Sequence, residues 1–265
     1  MKLVGSSNLP LEQLEGSSKV VILGPGFGTT AEVWDVAQKH FNPEMKYLRF
    51  DLPGHGLSPA VTEAFTVVDL ADAVIALANS LDINKFCYAG VSLGGAIGLT
   101  LALKYPNRVK VVLPICSAPK FGDSSAWITR ASEVRKNGTA QFIESTRERW
   151  FSKRFQERKP ELVEQTLQML ANVDRESYAL GCEALSTYDI TNELQKINVP
   201  VMVIAGELDP VVPYATALAY SQQLGEGSII EVLGVAHQAV LEAPEVLAKH
   251  INYSVRQNKD RKSVV

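Results

Sequence analysis

The sequence predicts an α/β fold: a mostly parallel central sheet flanked by helices, with an all-helical segment inserted late in the chain. Three observations carry that prediction. Short continuous apolar runs alternate with helical stretches, as expected of strands buried on both faces of a parallel sheet. A Gly-x-Ser-x-Gly pentapeptide ends one of these runs and opens a helix. Residues 119–195 hold several amphipathic helices in series and no convincing strand.

Along the chain, residues 1–18 are weakly patterned and should give a short strand or two. Strands are expected at 19–24, 46–51, 84–91, 110–116, 199–206 and 228–233, and helices near 31–40, 66–81, 93–105, 214–223 and 244–256. Within 119–195, Trp127, Ala131 and Val134 share one helical face, as do Val163, Leu167 and Leu170. Gly138 and Pro160 punctuate these helices. Lying between the strands that bear Cys116 and Val201, the segment should roof the carboxyl ends of the sheet and keep water from whatever lies beneath. This gives a core of 1–118 and 196–265 and a helical cap of 119–195.

Composition narrows the function class. The chain has 265 residues, enough for one α/β domain with an insertion, and 46% of them are hydrophobic. A net charge of −3 gives no pull toward nucleic acid or an anionic membrane. The basic run from Arg256 to Lys262 reads as a solvated terminus. Cys87, Cys116 and Cys182 form no Cys-x-x-Cys pair and fall in apolar or helical contexts, which suits buried free thiols. No apolar run approaches the roughly 20 residues of a membrane span, and the amino terminus lacks a signal-like pattern, so a cytoplasmic location is expected. No cluster of His, Cys or Asp has metal-ligand spacing, and no organic cofactor is implied.

The chemistry-bearing residues fall in an order that matters. Gly90-Val91-Ser92-Leu93-Gly94 follows the apolar run Phe86-Cys87-Tyr88-Ala89, the context in which the pattern presents a serine on a tight strand-to-helix turn. Glycines flank it because a β-carbon would strike the adjoining backbone. An acid should follow a later strand, and Asp209 stands just past Val199–Gly206, where open α/β sheets place their ligands. Glu207 is its rival; Asp209 is preferred because Pro210 fixes the turn. His237 follows the last strand and is the candidate base, while His40 and His250 sit on polar helical stretches. His55, in Pro53-Gly54-His55-Gly56, precedes the serine and reads as a structural turn residue. An oxyanion hole needs two backbone N–H groups. Leu93 should give one and the loop Gly24-Pro25-Gly26-Phe27-Gly28-Thr29 the other; Phe27 is the candidate, though spacing alone does not separate it from Gly26 or Gly28.

This order of glycine-rich loop, Gly-His-Gly loop, nucleophile turn, helical insertion, Asp209 and His237 resembles the α/β-hydrolase fold over nearly the whole chain. Within it the chain is similar to 3-oxoadipate enol-lactonases. The insertion carries that part of the resemblance through Trp127 and Arg130, Val134-Arg135, Arg149-Trp150-Phe151, Tyr178, Cys182 and Asp189. Two features depart from the pattern: Gly24-Pro25-Gly26-Phe27 replaces the His-Gly common in the superfamily, and the usual opening hairpin is missing.

The resemblance implies hydrolysis of a small carboxylate-bearing enol-lactone or ester through an acyl-enzyme, in aromatic catabolism, with a small molecule as partner. Trp127 and Arg130 are then the candidate substrate-binding residues. Arg130 shares the helical face of Trp127 and would meet the carboxylate, with a plain surface arginine as the other reading and Arg135 and Arg149 as fallbacks. A general carboxylesterase stays open, as does a slowly turning receptor for butenolide-type ligands, suggested by Gly26-Phe27-Gly28-Thr29.

Overall fold

A computed structural model describes residues 1–15 and 20–257. Among the described residues seven strands form one sheet: β1 (Gly5–Ser7), β2 (Val20–Gly24), β3 (Lys46–Phe50), β4 (Phe86–Val91), β5 (Val109–Ile115), β6 (Val201–Gly206) and β7 (Gly227–Val232). Their spatial order is β1-β3-β2-β4-β5-β6-β7. Only β1 runs antiparallel, pairing Gly5 with Phe50. The central strands β2 and β4 are buried at every position. Their side chains divide by the two-residue period of a strand. Val20, Ile22, Phe86 and Tyr88 join one hydrophobic cluster, and Val21, Leu23, Cys87 and Ala89 join the other, on the opposite face.

Helices cover both faces. Helix α1 (Val67–Asn79) starts at a reciprocal cap in which Thr66 and Asp69 bond each other's backbone N–H. Helix α2 (Leu93–Lys104) is almost wholly buried. Five helices separate β5 from β6: α3 (Ser124–Asn137), α4 (Ile143–Trp150), α5 (Lys153–Arg158), α6 (Pro160–Ala171) and α7 (Arg175–Thr187). Ala131 and Val134 on α3 and Val163, Leu167 and Leu170 on α6 are the buried apolar positions, whereas Trp127 is half-buried. Gly138 ends α3 at φ 77° and Pro160 opens α6. The two chain crossings of this segment lie side by side: the Ile190 N–H donates to the Pro119 carbonyl at 3.0 Å, and Lys120 pairs with Asp189 at 3.0 Å. The last described helices are α8 (Tyr214–Ser221), α9 (Ala239–Glu242) and α10 (Pro244–Gln257).

The expected helix over 31–40 is instead two short 3-10 turns, Ala31–Trp34 and Ala37–His40. Tertiary anchors break it. The Ala31 N–H donates to Asp51 at 2.7 Å and the Trp34 indole donates to the Gly24 carbonyl at 3.3 Å, so these distant partners rather than a helical ladder set the segment's path. Residue 19 of the first expected main strand and residues 258–262 of the basic run lie outside the described residues. Among the described residues no helix is long and apolar enough to cross a membrane.

Candidate active site

Ser92 sits between β4 and α2 with φ 52° and ψ −116°, a left-handed conformation that costs a non-glycine residue about 1–3 kcal/mol. The surrounding packing enforces it. A β-carbon on Gly90 would lie 2.3 Å from the carbonyl of Gly94, and one on Gly94 would lie 2.6 Å from the carbonyl of Pro25. The Ser117 hydroxyl donates to the Ser92 carbonyl at 2.7 Å, and the Ser92 N–H donates to Ile115 at 2.8 Å. The turn is therefore tied to β5, and Ser92 lines a cavity shared with His237.

Asp209 and His237 are 3% exposed each. His237 Nδ1 stands 2.8 Å from Asp209 Oδ2. The other carboxylate oxygen of Asp209 accepts from the N–H groups of Val211 at 2.8 Å and Val212 at 3.1 Å, so the turn after Pro210 fixes the acid's direction. Glu207 is exposed and points elsewhere, accepting from the Gly234 N–H at 2.7 Å. Cys116 brings its thiol to within 4.8 Å of the pair's ligating atoms. Burial pushes that thiol far above its ordinary range, so it remains S–H. With Nδ1 committed to the carboxylate and no thiolate, the three make a poor donor set for a metal.

The Gly24–Thr29 loop reaches Ser92: a β-carbon on Gly26 would lie 3.8 Å from that of Ser92. Its N–H groups sort themselves. Gly28 donates to His55 Nε2 at 3.1 Å and Thr29 donates to Gly26 at 3.1 Å. Among the described residues Gly26 and Phe27 donate to no protein acceptor, so Gly28 leaves the contest and Phe27 keeps Gly26 as rival. Leu93, first residue of α2, presents an N–H without an intrahelical partner at the positive end of the helix dipole. The Phe27 ring stacks on Tyr178 with centroids 4.2 Å apart, pinning the loop to α7.

His55 fastens this loop from below. It is 1% exposed, and its Nδ1 lies 2.8 Å from the Pro53 carbonyl, which leaves Nε2 as acceptor for Gly28. Burial pushes its pKa down to about 4. Above pH 6.5 the ring is neutral in both the folded and the unfolded chain, and its contribution to stability is complete. As the pH falls from about 6.5 toward about 4 the unfolded chain takes up a proton that the folded one refuses, removing on the order of 3 kcal/mol. Urea denaturation should therefore show a loss of stability between pH 7 and 4.5 that shrinks in His55→Gln. An equal loss in that variant would assign it to other groups.

The cavity holds about 60 Å³ and is lined by Gly26, Phe27, Ser92 and His237 together with Trp127, Arg130, Arg149 and Gln238. Arg130 donates to the Tyr178 hydroxyl at 2.8 and 3.1 Å and lies 4.0 Å over the Phe142 ring. Arg149, partly in water at the rim, donates to the Ser145 carbonyl at 3.0 Å; partial burial and the charge of Arg130 lower its pKa. Among the described residues neither has a carboxylate partner. Arg135 is different, held by Glu176 at 2.7 Å and Glu183 at 2.5 Å, and stands outside the cavity. A larger groove of about 430 Å³ between Ser152, Arg154, Leu233 and Val246 includes neither Ser92 nor His237.

Three contributors escaped the sequence reading. Glu242 accepts from the N–H groups of Ala236 at 3.2 Å and Ser152 at 3.0 Å, holding the His237 loop to the end of α4. Thr146 and Gln238 line the cavity. Gln238 directly follows His237, and a polar residue there was the available signal.

Residues 20–250 match the alpha/beta hydrolase family. The chain is 35% identical to 3-oxoadipate enol-lactonase 2 of Acinetobacter baylyi, over 85% of this chain and 84% of that one. It is 28% identical to a pimeloyl-[acyl-carrier protein] methyl ester esterase of Legionella pneumophila, over 76% and 80%. The crystal structure of the enol-lactonase from Burkholderia xenovorans LB400 superposes with a TM-score of 0.90, covering 96% of each chain at 25% identity. With its parallel sheet, its strand-to-helix serine and these relatives, the chain belongs to the alpha/beta hydrolase family.

Proposed function

We propose that the protein is a serine hydrolase that cleaves a small carboxylate-bearing enol-lactone or ester. The buried 2.8 Å contact between Asp209 and His237, which itself lines the cavity that Ser92 lines, carries this reading. His237 takes the proton of Ser92 as its oxygen attacks the acyl carbonyl; Asp209 holds the imidazole in the Nδ1–H tautomer and stabilises it when charged. The N–H groups of Leu93 and Phe27 receive the oxyanion, at a worth of about 2.7–4 kcal/mol for one donor in a comparable hydrolase. An enol-lactone expels an enolate that collapses to a ketone, and water activated by His237 then releases the acid. Residues 119–195 act as the cap over a core of 1–118 and 196–265. Trp127, Arg130 and Arg149 bring side chains of this segment to the cavity that Ser92 and His237 line. The names of the relatives, enol-lactonase and methyl ester esterase, support an ester or lactone substrate. The sequence resemblance supports a place in aromatic catabolism.

The carboxylate requirement rests on Arg130 and Arg149, two cations at the cavity with no acidic partner among the described residues. An arginine fork gains about 1.5–3 kcal/mol from a hydrogen bond to a charged group. Arg130→Ala should raise KM for an enol-lactone acid roughly ten-fold or more and leave cleavage of a neutral aryl ester nearly unchanged. Arg149→Ala should act in the same direction but more weakly, since water screens it at the rim. Arg130→Lys keeps the charge without the fork and should fall between. Steady-state kinetics on the acid, its methyl ester and the aryl ester decide the matter. No preference for the acid over its methyl ester would leave a general esterase.

A further inference from the structure

Gln238 is 1% exposed, and neither its amide oxygen nor its amide nitrogen has a hydrogen-bond partner among the described residues. Thr146 is equally buried, at 1%, and its hydroxyl is also unpartnered. Both line the cavity that holds Ser92 and His237. They meet around Trp150: the Gln238 N–H donates to the Trp150 carbonyl at 2.9 Å, and Thr146 stands one helical turn before Trp150 on α4.

A buried helical threonine ordinarily returns its hydroxyl to the carbonyl four residues back. Thr100 does so to Ala96 at 2.9 Å, and Thr166 does so to Leu162 at 2.7 Å. Thr146 does not, and the carbonyl that would serve it, that of Phe142, accepts from Ser145 at 3.1 Å instead. Unpaired buried polar groups are costly, and two in one cavity mark a place where a ligand completes the bonding.

The chemistry of that ligand group follows from the donors and acceptors. Arg130 and Arg149 offer only N–H donors and suit an anion. Gln238 offers N–H donors beside an acceptor oxygen, and the Thr146 hydroxyl can do either. A ketone or ether could satisfy only the donors, and an alkyl chain neither. We propose that Gln238, with Thr146, is a specificity-determining pair that recognises a neutral substrate group able both to donate and to accept a hydrogen bond. A hydroxyl or a carboxamide has that property, and it would be carried apart from the scissile carbonyl and the carboxylate. The proposal rests on the cavity being the substrate site of the hydrolase reading. It adds a second polar recognition point to that site.

Binding, rather than turnover, tests it. Calorimetric titration of the Ser92→Ala protein would compare three series of matched chain length: butanoate to hexanoate, the corresponding ω-hydroxy acids, and the monoamides of succinic, glutaric and adipic acids. All carry the same carboxylate, so the arginine contribution cancels. At least one hydroxy acid or monoamide should bind ten-fold or more tighter than its alkyl counterpart, which is about 1.4 kcal/mol. Gln238→Met, similar in volume and without the amide, should abolish that preference while keeping affinity for the plain alkanoates; Thr146→Val should reduce it. Equal binding of all three series by the parent protein overturns the proposal, as does a preference that survives Gln238→Met. If Gln238→Met fails to fold, the ligand series on the parent still decides. Because none of these ligands needs to be cleaved, failure of the serine mechanism would appear separately, as an active Ser92→Ala enzyme.

Discussion

Ser92→Ala should lower kcat for ester hydrolysis by several orders of magnitude, up to about 10⁶-fold by comparison with a serine protease, while leaving the fold intact. Both halves follow from the turn. The Ser92 side chain makes no capping hydrogen bond to its own helix, and alanine at φ 52° meets the same backbone strain as serine, so stability should hardly change. Ser92→Gly should be equally inactive but more stable than Ser92→Ala by about 1 kcal/mol, since glycine takes that backbone without strain. Parallel rate and urea-denaturation measurements would check both. Retained hydrolysis in Ser92→Ala would remove the nucleophile from the scheme.

Asp209→Asn should be the second most damaging change, about 10⁴-fold in kcat if the serine-protease precedent carries over. An asparagine fits the same turn and can still accept from Val211 and Val212. Facing His237 Nδ1, however, it favours the tautomer that leaves the wrong nitrogen to accept the serine proton. Glu207→Gln should cost little, because among the described residues the Glu207 carboxylate bonds only the exposed Gly234 N–H of its neighbouring turn. Kinetics on the two variants side by side separate the carboxylates. A larger loss in Glu207→Gln would overturn the choice of acid.

The sheet was legible because its strands are simple objects in sequence. Val20-Val21-Ile22-Leu23 and Phe86-Cys87-Tyr88-Ala89 are buried on both faces and read as unbroken apolar runs. The stretch 31–40 misled for the opposite reason. Its conformation is set by Asp51 and Gly24, partners distant in sequence that no local period encodes. Helix α9, four residues long, is too short to show a period at all. Ser92, Asp209 and His237 could be picked out as candidates because each follows a strand, where chain order and turn residues announce it. Gln238, Thr146 and Glu242 could not. Their roles depend on how the end of α4 meets the His237 loop, a contact between segments roughly 90 residues apart.

The central claim is that Ser92 is the one activated nucleophile of this chain. The direct measurement is peptide mapping by mass spectrometry after treatment with an organophosphonate, on the parent protein and on His237→Ala. One adduct on Ser92 in the parent, formed far more slowly without His237, is the predicted result. An adduct on any other residue, or labelling of Ser92 that proceeds equally fast in His237→Ala, would contradict it.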